Sequence, residues 1–204
     1  MPYYKEKDLL FIHIPKTGGT NIENCIIQKH KQTLYSGKTN NLLKYPYNNI
    51  SLQHQFYTTI YNNRDKLDIN FNNIKIFSVV RNPYNRIISD LFWYNLIKKD
   101  YTPEQVYDKI VNDYLNRYDL DNHNQPQYKY ITDNHRNLIP GIKIFKCENL
   151  NEMNEDINKF IGFDINIKQD NANKDYSKYL NKDSIDLINK IYKKDFELFN
   201  YDLK

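Results

Sequence analysis

The chain has 204 residues, which is enough for one domain with a substantial hydrophobic core. Its 29 basic and 25 acidic residues give a formal charge of +4, and both signs are spread along the whole chain. This distribution excludes the basic stripe that is typical of nucleic-acid-binding proteins. The sequence has no apolar run of about 18 residues that would span a membrane. Two cysteines, Cys25 and Cys147, are too few for a disulfide framework or a zinc site, so we expect two free thiols.

Hydrophobic periodicity predicts strands and helices that alternate along the chain. Three short, continuous apolar runs are typical of buried parallel strands, and they cover 9–14, 75–80 and 142–147. Apolar residues at helical spacing predict helices at about 20–31, 83–99, 102–115, 152–161 and 184–199. Polar or irregular segments lie between them, at 36–49, 62–73, 119–137 and 163–182. This order predicts a single α/β domain over 1–204 with a mostly parallel sheet.

The segment Pro-Lys-Thr-Gly-Gly-Thr at 15–20 lies where the first predicted strand ends and a helix begins. Backbone N–H groups of such a turn, with a helix N-terminus behind them, form an anion site. Gly18 and Gly19 allow a close backbone approach, and Lys16 adds a positive charge. The alternative is a plain turn in which Thr20 caps the helix and Glu23 closes a capping box. It is not a Walker A loop, because Lys16 precedes the glycines.

A second anion-binding pattern follows the second predicted strand. Arg81 lies at the carboxyl end of that strand, where open α/β sheets bind ligands, and Ser89 comes eight residues later. A guanidinium with a nearby hydroxyl is a common phosphate clamp. Asn82 and Pro83 predict the start of the helix that carries Ser89. Taken alone this pattern is weak, because Arg86 could be a surface charge and Ser89 an ordinary helix serine.

Together the two segments resemble the sulfotransferases that use 3′-phosphoadenosine 5′-phosphosulfate (PAPS), with the closest likeness to the carbohydrate branch of heparan, chondroitin and uronyl type. The resemblance implies a P-loop-like three-layer fold, with the central, mostly parallel sheet flanked by helices. It implies PAPS as co-substrate, adenosine 3′,5′-bisphosphate as product and no metal. Lys16 would contact the 5′-phosphate and the bridging oxygen, while Arg81 and Ser89 would hold the 3′-phosphate. The other implied donor-binding residues are Thr17, Gly18, Gly19, Thr20, Asn21 and Asn171.

Sulfuryl transfer also needs a base that takes the proton of the acceptor hydroxyl, and histidine is the side chain best suited to this near neutral pH. Leu-Gln-His-Gln-Phe at 52–56 is similar to the Gly-His-x-x-Phe stretch of some uronic-acid sulfotransferases, although Gln53 replaces the glycine. We therefore predict His54 as the catalytic base. His13 is expected in the core and His30 on a helix surface, and Glu23 or Glu148 remain alternative bases.

The segment 122–127 resembles a His-x-x-Pro-Gln stretch that precedes the acceptor loop in this branch. His123, Gln125 and Gln127 are therefore predicted to bind a carbohydrate or glycoconjugate acceptor, and His123 could replace His54 as the base. Two other functions stay open, an ATP-dependent kinase with a degenerate P-loop and a non-catalytic nucleotide-binding module. Because the polar start of the chain has no secretory signal or membrane anchor, we expect a cytoplasmic enzyme of microbial or viral type.

Overall fold

The computed structural model of the protein describes residues 2–30, 42–43, 49–168 and 174–204. Within these residues a sheet of four strands has the spatial order β1-β2-β3-β4. The strands are β1 (Tyr3–Tyr4), β2 (Leu9–Ile12), β3 (Lys75–Val80) and β4 (Lys143–Lys146). β2, β3 and β4 are parallel, with Leu10 opposite Ile76 and Val79 opposite Phe145, while β1 is antiparallel to β2. The predicted α/β fold with a mostly parallel sheet is confirmed.

The described residues form seven α-helices around this sheet. They are α1 (Gly19–Lys29), α2 (Tyr57–Asn62), α3 (Pro83–Trp93), α4 (Pro103–Lys109), α5 (Asn154–Ile161), α6 (Lys182–Ile191) and α7 (Lys193–Phe199). Two predicted starts are confirmed, because the Asn82 side chain accepts from the N–H of Tyr84 and a capping box joins Thr102 to Gln105. A bilayer-crossing helix would have to be longer and more apolar than any found in the described part of the chain.

Two predicted helices have different limits in the structure, and one alternative cap is not formed. The helix predicted over 83–99 ends at Trp93, because Asn95 takes the left-handed conformation of a Schellman motif. The helix predicted over 184–199 is two helices that meet at Tyr192. The capping box between Thr20 and Glu23, which was the alternative to an anion site, is not formed, since Gly18 is the N-cap of α1 and Glu23 pairs with His13.

Alternating side chains divide the core between the two faces of the sheet, as expected for strands with both faces buried. Leu9 and Phe11 face the helices α1 and α5, in a cluster with Phe77 and Phe145. Leu10 and Ile12 lie in a second cluster on the opposite face, with side chains from residues 52–60, 130–139 and 199. A third cluster joins α3, α4, α6 and α7. Because β2 and β3 are parallel neighbours, the loops after them emerge at the same edge of the sheet.

Candidate active site

A cavity of about 890 Å³ lies where the segments after β2 and β3 meet. Most of the predicted donor-binding residues line it, together with both predicted catalytic residues, His54 and Lys16. The donor-side lining consists of Lys16, Gly18, Gly19, Thr20, Asn21, Arg81 and Ser89. His123 and Lys174 line the same cavity, whereas Asn171 lies outside the described residues. The structure therefore places side chains that are more than 70 residues apart in the sequence around one space.

The loop between β2 and α1 is a turn with two left-handed residues, Lys16 at φ 64° and Gly18 at φ 89°. Gly19 is needed for a different reason, since a Cβ built on it would lie 2.3 to 2.4 Å from ring atoms of His13. Thr17 does not face the cavity, because its side chain is buried and its hydroxyl donates to the carbonyl of Ile14 at 2.8 Å. The Thr17 side chain is therefore not available to a ligand in the cavity, and only the Thr17 backbone could contact one.

The Lys16 side chain lies against Trp93, with Nζ 4.2 Å from the centroid of the indole ring. Its backbone carbonyl accepts a hydrogen bond of 3.2 Å from Arg81 Nη1, so the two predicted phosphate-binding segments touch each other. Burial lowers the pKa of Lys16, and the charge of Arg81 acts in the same direction while Asp90 opposes it. A cation held in a partly desolvated cavity interacts more strongly with an anionic ligand than one in water.

Arg81 is buried at the end of β3, and its backbone is fixed by Gln127. The Gln127 amide accepts from the Arg81 N–H at 2.9 Å and donates to the Arg81 carbonyl at 2.8 Å. Gln127 is itself fully buried and does not line the cavity, so the structure gives no support to its predicted contact with an acceptor. The Gln127 side chain instead fixes the backbone of Arg81, which is predicted to bind a phosphate.

His54 is held by a carboxylate on the other side of the cavity. Its Nδ1 lies 2.8 Å from Oδ2 of Asp121, and its ring is 5.3 Å from the ring of His13 and 4.8 Å from that of His123. Burial lowers the pKa of His54, and the hydrogen bond to Asp121 opposes this shift. The imidazole is therefore neutral at pH 7, as a general base has to be.

His123 has an equivalent environment. Its Nδ1 lies 2.7 Å from Oδ1 of Asp90, whose other oxygen accepts from the Tyr114 hydroxyl at 2.7 Å. Among the described residues, His54, Asp121 and His123 offer metal-ligand atoms within 4.8 Å of one another. Both Nδ1 atoms and Asp121 Oδ2 are already used in hydrogen bonds between side chains, and we assign no ion to this group.

The remaining acceptor prediction concerns Gln125, which does not line the cavity. Its Oε1 accepts from Lys129 Nζ at 3.0 Å and its carbonyl accepts from Arg86 Nη1 at 3.0 Å. Arg86 is not a surface charge, since only 1% of it is exposed. Its guanidinium also donates to the carbonyls of Pro15 and His123, at 3.0 and 2.6 Å. It thus ties the loop after β2 to the segment that carries His123.

The alternative bases have other partners in the structure. Glu23 is buried and pairs with Nδ1 of His13, which confirms His13 as a satisfied buried histidine that also reaches the cavity wall. Glu148 accepts from the N–H of Asn82 at 2.8 Å and from the Tyr201 hydroxyl at 2.9 Å. Neither glutamate is among the described residues that line the cavity. His30 packs against Phe163 at the end of α1, with ring centroids 4.3 Å apart.

Sequence reasoning missed several cavity residues, among them Asp121 and Trp93. The position of Trp93 at the cavity could have been predicted from the sequence, because Trp93 lies one helical turn beyond Ser89 and the two share a face of α3. No sequence pattern indicated Asp121, since its partner His54 is 67 residues away and aspartates are common in polar segments.

The chain belongs to the sulfotransferase family, whose family model, described as "Sulfotransferase family", matches residues 3–202. No curated protein and no solved structure matches the chain significantly. The match covers nearly the whole chain and includes every element described above. Membership in this family supports a transferase that moves sulfuryl groups.

Proposed function

We propose that the protein transfers the sulfuryl group of PAPS to a hydroxyl of a carbohydrate or glycoconjugate acceptor, with His54 as the base. The observation that supports this most is the single cavity, in which Lys16, the glycine turn, Arg81 and Ser89 meet His54. A donor with phosphates at both ends and an acceptor hydroxyl near a base need this combination of groups.

The donor side suits a nucleotide that carries both a 5′-phosphosulfate and a 3′-phosphate. The N-terminus of α1 and the charge of Lys16 provide for the 5′ end. Arg81 and Ser89 would hold the 3′-phosphate, which ATP lacks. The strand β3 is followed by Arg81, where a P-loop kinase would carry an aspartate for Mg²⁺. These features favour PAPS over ATP and therefore a sulfotransferase over a kinase.

The proposed reaction is an in-line displacement at sulfur. The oxygen of the acceptor hydroxyl forms a bond to sulfur while its proton moves to Nε2 of His54. The bond between sulfur and the bridging oxygen breaks, and its electron pair stays on the 5′-phosphate of adenosine 3′,5′-bisphosphate. Lys16 stabilises the negative charge that develops on this oxygen, and the cavity positions donor and acceptor. This division of roles leaves no step that needs a metal ion.

A carbohydrate acceptor agrees with the aromatic wall of the cavity. Trp93 is 61% exposed, and Tyr94 follows it on the same wall next to His123. Binding sites for small molecules combine such flat apolar surfaces with a few polar groups. We propose that a sugar ring packs on this wall and presents its hydroxyl to His54.

Transfer of ³⁵S from labelled PAPS to a panel of oligosaccharides tests the proposal. We expect labelled product with the wild-type protein and a loss of at least about tenfold in Lys16→Ala, because a charge stabiliser in a closed site contributes at least this much. Lys29→Ala removes an equal charge from an exposed position on α1 and serves as the matched control. Retained transfer in Lys16→Ala, or no transfer by the wild type to any sugar, would contradict the proposed roles.

The base is tested by His54→Ala in the same assay. We expect turnover to fall at least about 100-fold, as for the loss of a general base, while the affinity for adenosine 3′,5′-bisphosphate stays the same. Calorimetry of the variant with the bisphosphate checks the second part. Normal turnover in His54→Ala would show that another group, with His123 as the first candidate, takes the proton.

A further inference from the structure

Asp121 is held by Ser51 independently of its contact with His54. The backbone N–H of Ser51 donates to Oδ1 at 2.6 Å, and the Ser51 hydroxyl donates to Oδ2 at 2.7 Å. Oδ2 is also the atom that lies 2.8 Å from His54 Nδ1. Because a backbone N–H can only donate, it fixes one oxygen of the carboxylate and leaves the other directed at the imidazole.

The backbone around Asp121 has an uncommon conformation that the surroundings maintain. Asp121 and Asn122 are both left-handed, at φ 48° and 65°, although neither is glycine. The Asn122 side chain donates to the His54 carbonyl at 3.1 Å, and the Tyr130 hydroxyl donates to the Asn122 carbonyl at 2.6 Å. Residues held in such conformations are enriched at functional sites, where the neighbouring structure determines them. The turn therefore keeps the carboxylate against His54.

We infer that Asp121 is a positioning residue that keeps the neutral His54 in the tautomer with its proton on Nδ1, so that Nε2 is left to accept the proton of the acceptor hydroxyl. The inference rests on the proposed role of His54 and adds the residue that sets its tautomer. An ionised carboxylate only accepts hydrogen bonds, so the ring nitrogen beside it must carry a proton. When Nε2 takes up the second proton, the same carboxylate stabilises the imidazolium, as in other histidine–carboxylate pairs.

The other groups around His54 agree with this assignment. The rings of His13 and His123 face the His54 ring. Together with Asp121, these two histidines are the titratable neighbours that affect the pKa of His54. Each of these two histidines has its own carboxylate on Nδ1, Glu23 for His13 and Asp90 for His123. No carboxylate other than Asp121 is hydrogen-bonded to His54 among the described residues.

The substitution Asp121→Asn makes a sharp test, because Ser51 dictates how the new amide is oriented. The Ser51 N–H needs an acceptor, so the amide oxygen takes the place of Oδ1 and the NH₂ group takes the place of Oδ2. The NH₂ group then donates to His54 Nδ1, which moves the ring proton to Nε2. The variant should keep the size and the contacts of the side chain but invert the tautomer of His54.

Two readouts are needed, one of which does not depend on activity. In ¹⁵N NMR spectra of histidine-labelled protein, we expect Nδ1–H for His54 in the wild type and Nε2–H in Asp121→Asn, with the signals identified by their loss in His54→Gln. In the transfer assay we expect kcat to fall at least about 100-fold, with the acceptor KM changed less than about threefold. Asp113→Asn is the matched control, since Asp113 pairs with Lys109, is 40% exposed and does not line the cavity. It should leave the tautomer and kcat unchanged.

The outcomes separate the inference from the proposed function. An Nε2–H tautomer in the wild type, which requires no variant to fold, overturns the inference even if the protein is an active sulfotransferase. Full turnover in Asp121→Asn together with an inactive His54→Ala also overturns it and leaves His54 as the base. If the wild type transfers no sulfuryl group but shows the Nδ1–H tautomer that inverts in Asp121→Asn, the positioning role stands and the proposed function falls.

Discussion

Gly19 and His13 show how closely single residues are fitted at the start of α1. The backbone of Gly19 lies so near the imidazole that a methyl group would be 2.3 Å from its Cδ2 atom. His13 cannot easily move away, because its Nδ1 is paired with Glu23 and lies 2.8 Å from Gln53 Nε2. The glycine therefore sets the distance between the turn after β2 and the imidazole of His13.

We expect Gly19→Ala to lower the free energy of unfolding by about 1 to 3 kcal/mol, the usual cost of forcing a group into a packed site. The measurement is urea unfolding of the two proteins. Thr20→Ala places the same alanine at the next, exposed position of α1, where it only shortens the side chain, and should be within about 0.5 kcal/mol of the wild type in stability. Equal stabilities of wild type and Gly19→Ala would show that His13 gives way freely.

At the level of single residues, a local sequence pattern was enough to predict which side chains lie together at the cavity. Lys16, Arg81 and Ser89 stand at the ends of predicted strands or on the helix after them, and all three line the cavity. Gln127 was also predicted from a local pattern, as an acceptor-binding residue. In the structure its amide is instead hydrogen-bonded to the backbone of Arg81. A hydrogen bond that joins residues 46 positions apart leaves no trace in the local sequence.

The helix α3 is the element that connects the parts of the site. Arg86, Ser89, Asp90 and Trp93 are three or four residues apart and therefore lie on one face of the helix. Arg86 binds the carbonyl of Pro15, Asp90 binds His123, and Trp93 packs on Lys16, while Ser89 lines the cavity. One helical face thus contacts the loop after β2, the segment that carries His123 and the cavity itself.

Replacing Arg86 by Lys should destabilise the protein by about 2 to 4 kcal/mol, because one ammonium cannot satisfy three buried carbonyls in the geometry of a guanidinium. Turnover should fall too, since the loop after β2 and the segment of His123 lose their common anchor. Denaturant unfolding and the transfer assay measure the two effects. The control Arg136→Lys changes an exposed arginine and should be neutral in both. A stability equal to the wild type in Arg86→Lys would refute the anchoring role.

Elements with a clear apolar pattern were predictable, and those without one were not. β3 matches its predicted range, and the starts of α3 and α4 follow from their caps. β1 has two residues, too few to show a period, and it exists only because Tyr3 and Tyr4 pair with β2. The end of α3 was missed because Asn95 stops the helix through its backbone conformation, while apolar residues continue beyond it.

Across the whole molecule, the last helix, α7, is connected to the candidate site by buried hydrogen bonds. Asp195 of α7 is buried and accepts from the N–H groups of Gln127 and Tyr128, at 2.8 Å each. Gln127 in turn holds the backbone of Arg81. These hydrogen bonds link α7 to Arg81, which is predicted to bind the 3′-phosphate. No sequence pattern indicated this connection. The sequence did predict the α/β fold with a mostly parallel sheet, because strands and helices alternate along it.

Burial raises the pKa of Asp195 to about 6, although the two backbone N–H groups and Arg86 oppose the shift. The unfolded chain has a pKa of about 3.9 for this group, so between these values the folded state binds more protons. The contribution of Asp195 to stability is therefore fully present below about pH 4 and declines as the pH rises to about 6, by roughly 3 kcal/mol.

The free energy of unfolding of the wild type and of Asp195→Asn, measured from pH 4 to pH 7, tests this dependence. Asparagine does not titrate, so all other groups cancel in the difference between the two proteins. We expect the substitution to cost most at pH 4 and progressively less up to about pH 6. A cost that is constant or grows with pH would mean that Asp195 is not protonated in the folded protein.

The cavity is proposed to bind a nucleotide with phosphates at its 5′ and 3′ positions, and calorimetric titration with adenosine 3′,5′-bisphosphate measures this binding independently of turnover. The titration is compared with ATP, in EDTA and in Mg²⁺, for the wild type and Arg81→Ala. We expect micromolar, metal-independent binding of the bisphosphate, weakened at least about tenfold in Arg81→Ala, since a buried charged hydrogen bond is worth about 1.5 kcal/mol or more. A preference for ATP with Mg²⁺, or no binding of either nucleotide, would contradict it.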